Sequence, residues 1–366
     1  MKVLHLLAEG GVGGIETLCE EYGERSRHNN IFVFFWGGGI IADEMKEAGM
    51  QVIELHATKS IFSITKGFIE IQKVIDKEGV GVLIEHFSAP AMRMYLLFVK
   101  LFMPSVKVFV YAHSNVESMV YGGIKRLLPK LIIKASCRKA NKVISVSESV
   151  STSLVKCFGV PRSKIVRIYN GVDTSKFQGD NHRGIKQGEM LRLIYVGRLI
   201  ENKGVQNTLQ ELAKLPEDIL YNFTIVGEGE YRKSLEKMVF DLQINEKIVF
   251  LGTRRNVPEL LKNADVFIHL PKCEEGFGIT LVEAMASGLI CIGNKRGAIP
   301  ETIEDGVSGY IIDDETMTFR DVITKISKAD DNKHMSKNAK KRAEAFSIEK
   351  FIEKLDDLVD KEEKRL

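Results

Sequence analysis

Val266-Phe267-Ile268-His269-Leu270 is followed, after four intervening residues, by Glu275-Gly276-Phe277-Gly278-Ile279-Thr280-Leu281-Val282-Glu283-Ala284-Met285-Ala286. The first run is short and apolar, as a buried strand is, and the second reads as good helix former from Leu281 onward. The glycines between them therefore stand at a helix N-terminus, where free backbone N–H groups favour an anion. Gly276 and Gly278 remove side chains where a phosphate or a ligand backbone would come close. Glu275 precedes the helix and Glu283 lies roughly 7 Å further along its axis. One acid can accept hydrogen bonds from sugar hydroxyls and the other from ribose hydroxyls, so the segment suits a sugar nucleotide. An ordinary loop-to-helix junction with solvated carboxylates would use the same residues.

Outward from this unit, strand-like runs alternate with helix-like segments along the whole chain. They fall at 3–8, 31–36, 52–55, 82–86, 106–112 and 143–146, then at 193–196, 221–226, 248–251, 266–270, 289–293 and 309–312. Such alternation argues a parallel, doubly wound α/β architecture. The strands are too many for one compact sheet, and the polar, glycine-containing stretch 178–188 separates the two sets. Two Rossmann-like domains are expected, over 1–174 and 190–345. Beyond Phe346, the spacing of Ile348, Phe351, Ile352, Leu355, Leu358 and Val359 predicts an amphipathic helix over 346–366 that needs a surface to cover.

The 366 residues suffice for two domains with separate cores. Five scattered cysteines, Cys19, Cys137, Cys157, Cys273 and Cys291, form no C-x-x-C pair. Neither a disulfide framework nor a zinc site is suggested, and a reducing cytoplasm fits best. The opening run Met1 to Glu9 is too short for a secretory signal and reads better as a first strand. The apolar stretch 95–112 is broken by Lys100, Pro104 and Lys107, so no transmembrane helix is expected. Residues 1–174 hold 22 basic against 16 acidic side chains and the remainder 30 against 33, which makes the front of the chain the basic part. Much of that excess lies in Lys125, Arg126, Lys130, Lys134, Arg138, Lys139 and Lys142, interleaved with Leu127, Leu128, Leu131, Ile132 and Ile133. A basic amphipathic segment of this kind can rest on an anionic membrane surface. A surface helix with snorkelling lysines reads the same way, and Pro129 interrupts the period. The basic residues lack interleaved aromatics and the second half is acidic, which speaks against nucleic-acid binding.

Other loops carry chemistry of the same type. The first strand leads into Gly10-Gly11-Val12-Gly13-Gly14-Ile15-Glu16, a phosphate or sugar loop by composition. A dinucleotide fingerprint begun at Gly11 would need glycine where Glu16 stands, and the second strand ends in Trp36-Gly37-Gly38-Gly39 rather than in an acid. Both features count against a nicotinamide enzyme, and the absence of G-x-x-x-x-G-K-[ST] excludes a P-loop. Gly197-Arg198-Leu199-Ile200-Glu201-Asn202-Lys203-Gly204 places two cations just past the seventh of these runs, where open α/β sheets bind ligands. Arg198 offers a planar fork and Lys203 a point charge, together able to neutralise a diphosphate, although cations at strand ends are usually solvated. His113, at the end of another strand, either bonds a sugar hydroxyl or is a satisfied buried histidine. Asn170-Gly171-Val172-Asp173 reads as a turn, best understood as a hinge.

With these residues assembled, the chain resembles the retaining glycosyltransferases of family 4, which have the GT-B fold of two Rossmann-like domains facing a central cleft. The likeness covers nearly the full length and follows the family's order. It runs from Gly11-Val12-Gly13-Gly14-Ile15-Glu16 through His113, Ser147-Glu148, Asn170-Gly171-Val172-Asp173, Gly197-Arg198 and Lys203-Gly204. It continues through Glu275-Gly276-Phe277-Gly278 and Glu283-Ala284-Met285-Ala286 to Pro300-Glu301. The resemblance implies that Arg198 and Lys203 hold the donor diphosphate and Glu283 the ribose. It assigns the transferred sugar and the β-phosphate to Glu275 and the amides near Gly278, Ile279 and Thr280. His113 would touch the sugar from the first domain, Gly13 and Gly14 would lie beside phosphate and acceptor, and the last helix would return to the first domain. The loop at Gly252-Thr253-Arg254 is the expected place for the base.

Such an enzyme is a hexosyltransferase-type protein that moves a sugar from a nucleotide-diphosphate donor, a UDP-sugar in the first instance, to a glycan or lipid-linked acceptor in cell-surface polysaccharide synthesis. Departure of the diphosphate builds negative charge on the leaving oxygen, which fixed cations and helix amides stabilise, so no metal or other cofactor is required. No D-x-D pair stands in a plausible strand-end loop, and Asp313-Asp314 reads as a solvated turn. Two other readings use the same residues: a GT-B sugar-nucleotide 2-epimerase, which needs no acceptor, and a non-catalytic protein that senses a nucleotide sugar. The expected location is the cytoplasm, with a peripheral position at the inner face of the membrane if the basic segment docks there.

Overall fold

The strand-forming runs collect into two parallel sheets, one in each of two units, Met1–Gly171 with Ile348–Leu366 and Val172–Ser347. The computed structural model describes residues 1–11, 13–86, 90–116, 127–177, 185, 188–313, 315–328 and 332–364. Val12, most of the stretch 178–188, Asp314 and the basic residues Lys125 and Arg126 lie outside the described residues.

In the first unit the elements alternate as β1 (Lys2–Glu9), α1 (Gly14–Arg25), β2 (Asn29–Gly37), α2 (Ile40–Glu47), β3 (Gln51–Glu54) and α3 (Ile61–Glu78). They continue as β4 (Val82–Glu85), α4 (Pro90–Phe102), β5 (Lys107–Ala112), α5 (Leu127–Lys139), β6 (Lys142–Ser145), α6 (Glu148–Phe158) and β7 (Ile165–Arg167). The strand order β3-β2-β1-β4-β5-β6-β7 reverses direction between β1 and β4. Strands so placed are covered by helices on both faces, which is why Val3, Leu4, Phe32, Val33, Val82, Leu83 and Phe109 are all fully buried and read as unbroken apolar runs. β7 has no counterpart among the runs read from sequence. Three residues between Lys164 and Ile168 are too few to show a period, and an edge strand needs only one pairing partner, here β6.

The second unit runs β8 (Leu191–Val196), α7 (Val205–Leu212), β9 (Tyr221–Val226), α8 (Arg232–Asp241), β10 (Ile248–Gly252), α9 (Val257–Lys262) and β11 (Val266–His269). It continues with α10 (Ile279–Ala286), β12 (Ile290–Asn294), α11 (Ile299–Thr302), β13 (Gly309–Ile312), α12 (Phe319–Lys328) and α13 (Lys333–Ala343). Its order, β10-β9-β8-β11-β12-β13, reverses between β8 and β11. Ile185, the described residue amid the polar stretch 178–188, is buried in this unit's core with Leu191, Tyr221 and Phe223. The chain passes from one unit to the other within Asn170–Asp173, where Val172 pairs with Ser347 and donates to the Phe346 carbonyl.

The last helix, α14 (Ile348–Glu363), buries Ile348, Phe351, Ile352, Leu355, Leu358 and Val359, so the apolar spacing maps onto one covered face. That face belongs to the first unit, where Phe351 meets Tyr22 of α1 edge-on at 6.0 Å. A buried carboxylate pins the contact: Asp356 accepts from the Tyr22 hydroxyl and the Ser26 hydroxyl, each at 2.7 Å, and from the Arg27 amide at 3.1 Å.

Candidate functional site

A doubly wound sheet leaves a crevice at the carboxyl ends of the two strands where its order reverses, because the loops that follow them diverge to opposite faces. In the second unit those strands are β8 and β11. Arg198 and Lys203 follow the first, and the stretch from Glu275 to Gly278 follows the second.

Two glycines set these loops against their neighbours. Gly204 is left-handed, φ +74°, and a Cβ there would stand 1.9 Å from the Leu270 carbonyl oxygen, so the turn after Lys203 lies directly on the end of β11. Gly297, φ +59°, comes equally near the Glu275 backbone, with a Cβ reaching 2.1 Å from its oxygen. The Ala298 amide then donates to that oxygen at 2.9 Å. The Glu275 main chain is thus held by the loop after β12, and its side chain is directed by packing rather than by chance.

Lys203 Nζ donates to Glu275 Oε2 at 2.7 Å, and His269 Nε2 lies 2.8 Å from the same oxygen. With that carboxylate acting as acceptor, His269 donates from Nε2, and its buried Nδ1 has no hydrogen-bond partner among the described residues. Burial by itself would raise the Glu275 carboxyl, but the His269 hydrogen bond and the Lys203 charge outweigh it and hold the group well below the ordinary carboxylate range. Its Oε1 has no hydrogen-bond partner among the described residues.

Glu275 also stands against the start of α10. A Cβ on Gly278, the left-handed residue that caps this helix, would touch Glu275 Cγ at 3.7 Å, and no side chain caps the helix. The amides of Gly278, Ile279 and Thr280 donate to no carbonyl among the described residues, and all three positions are partly accessible. The result is a helix N-terminus open to an anion beside a fixed cation and a fixed carboxylate.

Glu283 sits one turn further along α10. It is partly accessible and makes no side-chain hydrogen bond among the described residues, yet its surroundings desolvate it enough to push its carboxyl up to about 7. Arg198 is exposed, with no side-chain partner among the described residues; only its carbonyl is engaged, by the Tyr195 hydroxyl. Gly276 and Phe277 are buried, and the Phe277 ring packs edge-on against Phe346 at 5.5 Å, which leaves its backbone as the part a ligand can meet. Thr253 and Arg254 are exposed after the edge strand β10, two strands from β8.

His269 is the residue that sequence reading passed over. It appears in an apolar run as one more strand position, and the only available signal was a polar side chain at the carboxyl end of a buried strand. Glu274 supports the same loop by accepting from the Gly297 amide at 2.5 Å.

In the first unit Gly13 precedes α1, Gly14 opens it, and both are accessible. His113 follows β5, with its Nε2 3.0 Å from His86 Nδ1. Ser147 is a structural cap, accepting from the Val150 amide at 3.1 Å at the start of α6, and Glu148 pairs with Arg162 and Arg167. Asp313 is paired with Lys295. No helix among the described residues is long and apolar enough to cross a membrane.

Comparison with known proteins shows the chain to be similar to glycosyltransferases. The chain is 28% identical over 295 residues to the N-acetyl-alpha-D-glucosaminyl L-malate synthase of Bacillus anthracis, covering 77% of this chain and 75% of that protein. It is 25% identical over 326 residues to an Escherichia coli UDP-Gal:alpha-D-GlcNAc-diphosphoundecaprenol alpha-1,3-galactosyltransferase, covering 82% and 80%. Among solved structures, Anabaena HepE in complex with UDP superposes with a TM-score of 0.82 at 18% identity, over 99% of this chain and 100% of that one. A model described as glycosyltransferase family 4 matches residues 12–176, and one described as glycosyl transferases group 1 matches residues 180–342. The two matches are consecutive and together take in most of the chain, which belongs to the family 4 glycosyltransferases of the GT-B fold.

Proposed function

We propose that this glycosyltransferase takes its sugar from a nucleotide-diphosphate donor, a UDP-sugar in the first instance, and passes it with retained configuration to a glycan or lipid-linked acceptor in cell-surface polysaccharide synthesis. The observation that carries the reading is the Lys203–Glu275–His269 cluster beside the uncapped start of α10. The diphosphate is placed on the α10 amides with Arg198 and Lys203 as its cations, so that charge developing on the leaving oxygen meets preorganised donors. Glu275, anchored through Oε2, offers Oε1 to the hydroxyls of the transferred sugar. Glu283 takes the ribose hydroxyls, the loop of Thr253 and Arg254 takes the base, and His113 with Gly13 and Gly14 in the first unit serves sugar and acceptor. No protein base is assigned, because a phosphate oxygen of the donor can take the acceptor's proton.

A UDP complex of a structural neighbour and a UDP-Gal relative support the choice of base. Thermal-shift measurements against UDP-, GDP- and ADP-sugars test it: a selective ligand raises the melting temperature with ln(1 + [L]/Kd). Absence of a shift with every nucleotide sugar would remove the donor assignment. Incubation with labelled donor alone separates transfer from 2-epimerisation, which would yield an isomerised sugar without acceptor, and binding with no turnover across an acceptor panel would leave a sensing protein.

A peripheral contact with an anionic bilayer, and with it a cytoplasmic-face location, is favoured by an apolar face on the first unit. Met94, Phe98, Leu101 and Phe102 recur on one side of α4, with Leu101 72% and Phe102 63% exposed. α5 packs beside α4 and exposes Leu128 and Leu131, with Arg138 and Lys139 exposed in its last turn. Exposed apolar side chains next to cations suit acyl chains under anionic headgroups. Flotation with phosphatidylglycerol vesicles should be lost when Leu101, Phe102, Leu128 and Leu131 are changed to serine, and retention would discard the contact.

A further inference from the structure

A row of one amide and three imidazoles crosses four neighbouring strands of the first unit. Asn30 on β2, His5 on β1, His86 after β4 and His113 after β5 stand in the order β2-β1-β4-β5 in which those strands pair. His5 Nε2 is 3.1 Å from Asn30 Oδ1, His5 Nδ1 is 3.0 Å from His86 Nε2, and His86 Nδ1 is 3.0 Å from His113 Nε2. The rings lie nearly parallel, with interplanar angles of 23° and 22° along the row.

The protons in this row have one consistent arrangement. Asn30 Nδ2 donates to the His28 carbonyl at 3.1 Å, which turns the amide so that Oδ1 faces His5. His5 must then donate from Nε2, and its Nδ1 becomes an acceptor. His86 in turn donates from Nε2 and accepts at Nδ1, and His113 donates from Nε2. The row ends at His113 Nδ1, a buried lone pair without a partner among the described residues, on a ring that is itself partly accessible. Burial lowers His5 to about 4 and His113 to about 3, and it holds His86 well below its ordinary value, so all three rings are neutral as the row requires. Cys19 Sγ stands 3.8 Å from His86 Nδ1, and with His5 and His86 it forms a set of three metal-capable groups. The 3.0 Å between the two ring nitrogens is an N–H···N spacing, whereas two imidazoles on tetrahedral zinc hold their nitrogens about 3.3 Å apart.

We propose that Asn30, His5 and His86 are positioning residues that lock His113 in one tautomer, making its Nδ1 an obligate hydrogen-bond acceptor for a sugar hydroxyl. A phosphate oxygen has no proton to give a lone pair, so this ring selects sugar over diphosphate. Asn30 cannot pass a proton on, so the row is a clamp and not a wire. The assignment of the hydroxyl to a sugar substrate rests on the function proposed above; the tautomer lock does not.

The test begins with 15N-histidine NMR of the ligand-free protein, with His113 assigned by difference against His113→Phe. A single neutral Nε2–H form is expected. In His86→Leu, His113 should become a tautomer mixture, whereas His86→Gln should restore the single form, because its carbonyl accepts from His113 and its amide donates to His5. A tautomer mixture in the wild-type protein, or loss of the single form in the glutamine variant with the fold intact by amide spectra, overturns the lock.

The ligand arms are UDP alone, UDP-glucose, UDP-galactose, UDP-N-acetylglucosamine, and octyl glucoside as an acceptor-type sugar. His113 Nδ1 should shift with a sugar-bearing compound and not with UDP, and His86→Leu should weaken that compound roughly tenfold with UDP unchanged. A shift with UDP-sugars alone puts the hydroxyl on the donor, and one with octyl glucoside puts it on the acceptor. If a UDP-sugar binds and no compound moves His113, the sugar-hydroxyl role falls. If none of the nucleotides binds at all, the donor assignment falls and the tautomer result still decides the lock.

Discussion

Lys203 Nζ stands 2.7 Å from Glu275 Oε2, so the cation proposed for the donor diphosphate and the acid proposed for the donor sugar are already one ion pair, joined by His269. The pair is partly accessible at Lys203 and nearly covered at Glu275, where His269 holds the carboxylate from the other side.

Loss of the cation should therefore affect turnover more than folding. Lys203→Ala and Arg198→Ala are each expected to lower kcat roughly 10²–10³-fold, the scale of losing one preorganised donor at a developing charge. Rates of the purified variants at saturating donor are the measurement, and a near-normal rate for Lys203→Ala would refute its role.

Glu275 has a depressed carboxyl, so the stability it confers is present above the ordinary carboxylate value and is lost as pH falls through that range toward the folded value. Glu275→Gln should be less stable than wild type at pH 7, by about 2 kcal/mol for a charge-assisted bond. The gap should narrow on acidification below pH 4.5. Urea unfolding at both pH values reads the difference directly, and a constant gap would show that packing, not charge, is responsible.

Glu283 behaves in the opposite sense. Its carboxyl is raised to about 7, so the folded state favours its protonated form, and ionising it costs stability as pH rises from about 4.5 to 7. Glu283→Gln should melt higher than wild type at pH 8 while binding donor more weakly. With ribose hydroxyls as its partners, the wild-type KM for donor should rise as pH drops below 7, and a flat pH profile would exclude the carboxylate from binding.

Arg93 and Glu85 form a buried pair at 3.0 Å in the first unit. Arg93→Met removes the cation from beside a buried carboxylate and should cost about 3–5 kcal/mol. Arg93→Met with Glu85→Leu should recover most of that loss. Chemical denaturation of wild type, Arg93→Met, Glu85→Leu and the double variant tests the pair, and additive losses would show that the ions act independently.

Asp356 anchors α14 by accepting three hydrogen bonds from Tyr22, Ser26 and Arg27. Asp356→Ala should destabilise the first unit by about 3 kcal/mol, since it strands those donors in a covered site. Hydrogen exchange over Ile348–Glu363 should quicken ahead of the rest of the unit.

Much of this molecule is written locally. Apolar runs such as those of β1, β4 and β11, interrupted by glycines and helix-forming segments, dictate parallel strands covered on both faces, and the spacing of Phe351, Leu355 and Val359 dictates a one-faced terminal helix. The loops bearing Arg198, Lys203, Glu275 and Glu283 could be marked as well, because glycine and charge at a strand's carboxyl end are local signals. Local signals carry no information about which strands become neighbours. Lys203 became the counter-ion of Glu275, 72 positions away, only because the reversal of strand order set β8 beside β11. The same reversal at β1 and β4 joined His5 to His86 across 81 positions of sequence. Periodicity reports which face of a strand is buried, whereas the lateral order that brings distant side chains within hydrogen-bond reach is decided by how the helices cross over and pack, and that belongs to the tertiary structure alone.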